Sequence, residues 1–87
     1  MIDQVDLKIG IMILEARKSK GLSQSEVARA LGHKTPQFVS FMERGISKAP
    51  LNTCKKLNKI LGLDTSKVFR ELKARHDREL KAGLGIK

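Results

Sequence analysis

The chain has 87 residues and carries 18 Lys and Arg against nine Asp and Glu, a net charge of +9. That length allows one modest core and excludes a two-domain enzyme, while the charge points towards a polyanion, whether nucleic acid, anionic membrane or acidic protein, without choosing among them. A single cysteine, Cys54, excludes an internal disulfide and a cysteine-rich zinc site, and His33 and His76 have no ligand spacing around them, so no metal or other cofactor is expected.

Taken in chain order, the pattern divides at glycines into helical segments, with no alternating strand pattern, repeat or low-complexity linker. The first helix is predicted from Asp6, a plausible N-cap, to Ser19, with Ile9, Ile13 and Ala16 on one stripe and Gly21 beyond its end. Its apolar run, Ile9 to Leu14, is too short to span a membrane. Preceded by Asp3 and Asp6, it also lacks the basic start of a signal peptide, so a cytoplasmic protein is expected. The second helix starts at the capping box SQSE, Ser23 to Glu26, turns Val27, Ala28 and Leu31 inward and ends at Gly32. Thr35 as N-cap and Pro36 in the first turn open a third helix, Pro36 to Arg44, which Gly45 stops. Pro50 opens a fourth, with Leu51, Cys54, Leu57 and Leu61 inward and Gly62 closing it. A fifth is predicted from Ser66 to Leu80, capped by Asp64, Thr65 or Ser66, with Val68, Phe69 and Leu72 on its apolar side and Glu71 spaced to pair with Arg75. The tail KAGLGIK is expected to be loosely ordered.

These segments predict an all-α bundle. Two short helices joined by a tight glycine turn have the outline of a helix-turn-helix. The stretch LSQSEVARALG, Leu22 to Gly32, followed by MERG, Met42 to Gly45, and then Pro50, resembles the lambda-repressor-like or XRE family of five-helix DNA-binding domains. The resemblance covers roughly Ile9 to Leu63. It rests on Gln24 at the start of the second helix, the small Ala28, the turn glycine Gly32, and Glu43 with Gly45 as the Glu-x-Gly that ends the recognition helix. It implies a helix-turn-helix DNA-binding domain over 1–63, with a C-terminal helix and tail over 64–87 that packs on the domain or dimerises. One departure lies in the turn. Twelve residues separate Gly32 from Gly45, one more than in many members, and the extra residue falls within His33, Lys34 and Thr35.

On a helical projection Phe38, Val39 and Met42 point inward, and Gln37, Ser40 and Arg44 gather on the opposite side. An amide, a hydroxyl and a guanidinium on one face suit base edges and phosphates. Periodicity alone describes an ordinary solvated face equally well, and the resemblance favours the DNA-reading one. It implies base contacts from Thr35, Gln37, Ser40 and Phe41, and phosphate contacts from Ser23, Gln24, Lys34, Arg44 and Lys48. Phe41 keeps two roles open, packing at the domain edge or apolar contact with a thymine methyl. The resemblance further implies a structural ion pair between Arg17, four residues before Gly21, and Glu43.

The function expected is that of a sequence-specific regulator of double-stranded DNA, a repressor in type, acting as a homodimer because one such motif buries little surface on DNA. A protein-interaction module, such as an antitoxin or adaptor, is the alternative, favoured by Phe41 and the last helix. A non-specific architectural binder would want more concentrated charge. No catalytic constellation or phosphate loop is recognisable, and the absence of Trp and Tyr disfavours single-strand recognition.

Overall fold

Asp3, rather than Asp6, starts the first helix. In the structure, a computed structural model that describes residues 2–85, the Asp3 carboxylate accepts from the amides of Val5 at 2.7 Å and Asp6 at 3.3 Å, and α1 spans Gln4–Ser19. The expected start is therefore one turn late, for a physical reason. Asp6 precedes Ile9 and Ile13 by three and seven residues, which places it on their face of the helix, and it is buried with them. A buried carboxylate needs a partner, and Arg75 donates to it at 2.7 Å from the other end of the chain. Arg75 also reaches Asp3 at 3.4 Å. Glu71 consequently does not pair with Arg75; it lies 3.7 Å from Lys8, an exposed contact of small value.

The second helix, α2, spans Gln24–Ala30 with both halves of the capping box formed: the Ser23 hydroxyl accepts from the Glu26 amide, and the Ser23 amide donates to the Glu26 carboxylate, each at 3.0 Å. The third, α3, spans Gln37–Glu43. Pro36 stands just before it with helical angles already, and no side chain caps it, so Thr35 is exposed and not the expected cap. Helix α4 spans Leu51–Leu61 and ends at Gly62 in the left-handed conformation. Cys54, Leu57 and Leu61 are buried there, whereas Leu51, about 90° round the helix from the middle of that face, is 67% exposed.

Asp64 caps α5 by accepting from Ser66 and Lys67, and the helix spans Thr65–Gly83, so the first part of the tail is helical. Its Ile86 and Lys87 lie outside the described residues. Val68, Leu72 and Arg75 repeat at helical spacing and face the bundle, which leaves Phe69, about 100° round the helix from Val68, 67% exposed and not inward as expected.

Ile9, Ile13, Val27, Val39, Met42 and Leu57 are completely enclosed, so α1 to α4 each contribute to one core. The tightest crossing is between α1 and α3. A side chain at Gly10 would meet the carbonyl oxygens of Met42 and Glu43, the latter at 2.7 Å. At Gly45, φ +73°, it would meet the Leu7 backbone at 2.8 Å. The two glycines therefore seat the end of α3 directly on the main chain of α1. Among the described residues no helix is long and apolar enough to cross a membrane.

Two outcomes follow for stability. Gly10→Ala forces α3 off α1 and is expected to cost about 3 kcal/mol, read as a lower denaturation midpoint at unchanged slope. The Asp3 carboxyl is held below its ordinary value of 3.8, first by the Val5 amide and then, against some desolvation, by the Asp6 amide and Arg75. A folded value below the unfolded one stabilises fully above the unfolded range and is lost as pH falls through the folded value. Asp3→Ala is therefore expected to destabilise at neutral pH, with the gap to the parent narrowing as denaturation curves are taken below about pH 4.

Candidate nucleic-acid interface

Glu43, the last residue of α3, carries a carboxylate that is only 3% exposed. Three donors from two other parts of the chain enclose it. Arg17 offers its Nε to Oε2 at 2.6 Å and its Nη2 to Oε1 at 3.0 Å, a bidentate fork, while Gln24 Nε2 donates to Oε1 at 2.9 Å. The remaining arm of Arg17 donates to the carbonyl of Leu22 at 2.9 Å. One guanidinium thus joins α1, the entry into α2 and the end of α3. The hydrogen bonds that Arg17 donates to Glu43 raise the Arg17 pKa above its ordinary value against some desolvation, so the guanidinium is held in its charged form.

With its end held, α3 turns Val39 and Met42 into the core. Phe38 is half-buried, packed at the edge against the His33 ring with centroids 4.7 Å apart, and so is less inward than expected. The shift comes from Glu43. Its burial extends the inward arc on the side away from Phe38, so the centre falls between Met42 and Val39.

On the outward side Gln37 and Arg44 are exposed, and Ser40 and Phe41 are half-buried. Phe41 lies between the core and this face, with the Arg44 guanidinium 5.4 Å above its ring. Thr35, Lys34, Ser23 and Lys48 are all exposed, the first two in the turn before α3, Ser23 at the N-cap of α2 and Lys48 in the segment after Gly45. The twelve residues between glycines are accommodated ahead of α3. The His33 amide closes onto the Ala28 carbonyl at 2.8 Å, and His33 to Pro36 then lead to the helix start at Gln37. Gln24 is less free than expected: one amide hydrogen is committed to Glu43, leaving the other and the carbonyl.

Sequence reasoning missed three contributors. Gly10 looked like one more member of an apolar run. His33 looked like a turn residue, and the inward role of Gln24 has no local signal. Glu26, at the N-terminus of α2, has its pKa lowered, first by the Ser23 amide and then by the Ser23 hydroxyl, which leaves that end carrying a carboxylate beside Ser23. Among the described residues no group of three His, Cys, Asp or Glu is placed to hold a metal ion.

Comparison with known proteins matches residues 13–68 to a helix-turn-helix family model. The fold is similar to a crystal structure of the clp gene regulator ClgR from Corynebacterium glutamicum, with a TM-score of 0.68 and 22% identity over 84% of this chain and 94% of that one. A second structure of the same regulator has the same score and identity over 98% of this chain and 87% of that one. No curated protein sequence matches.

Arg17→Ala is expected to cost roughly 3 kcal/mol in chemical denaturation, because it leaves Glu43 buried with Gln24 as its remaining side-chain partner. Arg17→Lys should recover only part of the loss, since an ammonium cannot make the fork and reach Leu22 together. A cost below that of typical surface changes would remove the structural role assigned to the pair.

Proposed function

The chain belongs to the helix-turn-helix family, and from that membership we propose that it is a sequence-specific regulator of transcription, a repressor in type, that reads double-stranded DNA with α3 in the major groove. The observation that carries the reading is the outward face of α3. It holds an amide, a hydroxyl and a guanidinium beside Phe41, on a helix whose inward face and C-terminal end are locked by Val39, Met42 and Glu43. A reading surface must be presented rigidly to convert base contacts into specificity, and this one is tied at its end to two other helices.

In this proposal Gln37 and Ser40 contact base edges, with Thr35 beside them at the helix entry. Phe41 serves first as the shelf under Arg44, and its free edge meets a thymine methyl. Ser23, Gln24, Lys34, Arg44 and Lys48 grip phosphates on the two sides of the motif, positioning it without reading sequence. Residues 1–63 form the DNA-binding unit and 64–87 a C-terminal element that packs on the domain or pairs two copies, working in the cytoplasm on a two-fold site. A protein-partner module is the second reading, favoured by Leu51 and Phe69, both 67% exposed beside each other's helices. With no effector part in the proposal, repression would act by occupying the site.

Selection of bound sequences from a random duplex pool, repeated across a salt series, tests the proposal. A two-fold-symmetric motif is the expected result. Binding that merely weakens with salt, with no enrichment, would assign a non-specific role, and no binding at all would leave the partner module. Gln37→Ala is expected to relax the motif at one position at a cost of about 1–3 kcal/mol, whereas Lys48→Ala should weaken all sequences alike and reduce the salt slope by about one.

A further inference from the structure

Three cations that neither the ion pairs nor the proposed phosphate contacts use border one apolar cleft. Helix α5 packs on α1 and α4. Along its seam with α4 opens a cleft of about 310 Å³, lined by Leu51, Cys54 and Lys55 of α4 and by Val68, Phe69 and Leu72 of α5. Leu51 and Phe69 are each 67% exposed, so two large apolar side chains stand in water at its walls. The Cys54 thiol, buried and directed to the Ala49 carbonyl at 3.7 Å, gives the lining no charge. The rims are different. Lys55 borders the cleft on the α4 side, and Arg70 and Lys73 border the groove that shares Phe69 with it. Among the described residues none of these three cations is in an ion pair. Helix α4 holds three lysines and no Asp or Glu. The one acid in the first three turns of α5, Glu71, lies near Lys8 of α1 instead.

We propose that this cleft seats an acidic amphipathic helix of a partner protein, with its apolar ridge between Leu51 and Phe69 and its carboxylates on Lys55, Lys73 and Arg70. Charge complementarity selects the sign, since cations border the cleft on both helices and no acid lines it. Length selects the ridge. Thr65 and Leu72, which bound the cleft along α5, are separated by about 10 Å of helix, the span of apolar side chains at i, i+3 or i+4, and i+7. A helix also satisfies its own backbone groups, whereas an extended segment would leave amides against apolar walls. Other occupants fit less well. Two copies meeting here would bring the same uncompensated cations together. A small ligand's site encloses most of its ligand, which walls that are 67% exposed do not. A nucleic-acid phosphate gains nothing from Leu51, Val68 or Leu72, and a membrane takes a protruding apolar stripe rather than a cleft. None of the residues used belongs to α3 or to the proposed DNA contacts. The site therefore stands whether or not the DNA reading does, and it gives the partner of the second reading its chemistry.

Selection against the full chain from a library of displayed random peptides of roughly 16 residues, about four turns of helix, tests the site. Enriched peptides are expected to share apolar residues at i, i+3 or i+4, and i+7, flanked by Asp and Glu, and the leading one to gain helix on binding, read by circular dichroism. In calorimetric titration Leu51→Ser, Phe69→Ser and Lys55→Glu should each weaken that peptide roughly tenfold or more. A Lys in place of one peptide acid should recover part of the loss in the Lys55→Glu chain and in no other. Leu51, Lys55 and Phe69 are exposed, so the circular dichroism of the unbound variants should match the parent. Peptides enriched equally by the Phe69→Ser chain, enriched peptides without acids, or an affinity unmoved by Lys55→Glu would each overturn the proposal. No enrichment would overturn it too. Sedimentation as a dimer, or binding to phosphatidylglycerol vesicles, that is lost in Phe69→Ser would then make the occupant a second copy or a membrane. Duplex selection on the same samples is read separately. A chain that takes the peptide and enriches no duplex keeps the partner site and loses the DNA reading, and one that enriches a duplex and no peptide does the reverse.

Discussion

The whole arrangement depends on one carboxylate kept out of water. Glu43 ends a helix of seven residues, too short to hold its own orientation through propensity. Burying its charge is costly, and the cost is offset only if the fork of Arg17 and the amide of Gln24 arrive together. That requirement makes the ion pair a test of assembly: the three polar groups are all satisfied together only when α1, α2 and α3 are in place. Hydrophobic contacts in the same core tolerate sliding, since a Val or Met finds apolar neighbours in several poses. A bidentate pair at 2.6 and 3.0 Å does not.

What could be read from the sequence divides along the range of the interaction. Helix ends are local chemistry, so the capping box of Ser23 and Glu26 and the stops at Gly32, Gly45 and Gly62 appear where the residues announce them. The five-helix architecture follows from those ends together with the apolar spacing. Position inside the bundle is a long-range property, and there the reading failed in consistent ways. Asp6 looked like a cap because its partner, Arg75, lies 69 residues away. Phe69 and Leu51 looked like core because they are apolar, although each lies about a quarter turn off the buried face of its own helix. Phe38 was placed too deep because Glu43, expected only in a structural ion pair, is buried fully enough to draw the centre of the inward arc towards Val39.

The candidate site shows the same division. Exposure of Gln37, Thr35, Lys34, Arg44 and Lys48 follows from amphipathic spacing and turn chemistry. Their chemistry towards a partner depends on a second molecule whose shape no single chain encodes, so it is the resemblance that named base and phosphate roles. Gln24 illustrates the limit. Spacing placed it correctly at the start of α2, but only the burial of Glu43 explains why half of its amide turns inward.

The contact of Gly10 with the carbonyls of Met42 and Glu43 has a wider consequence. It joins main chain to main chain, so the tilt of α3 is set without help from any outward side chain of that helix. Residues 37, 40 and 41 can then be exchanged with little effect on how the helix sits. A lineage built on this frame could acquire new binding preferences by point changes at those positions, while stability selection acts on a separate set that includes Gly10, Arg17 and Glu43. Under the proposed function, the smallest residue in the first helix is in that sense what would allow recognition to diverge without the fold diverging with it.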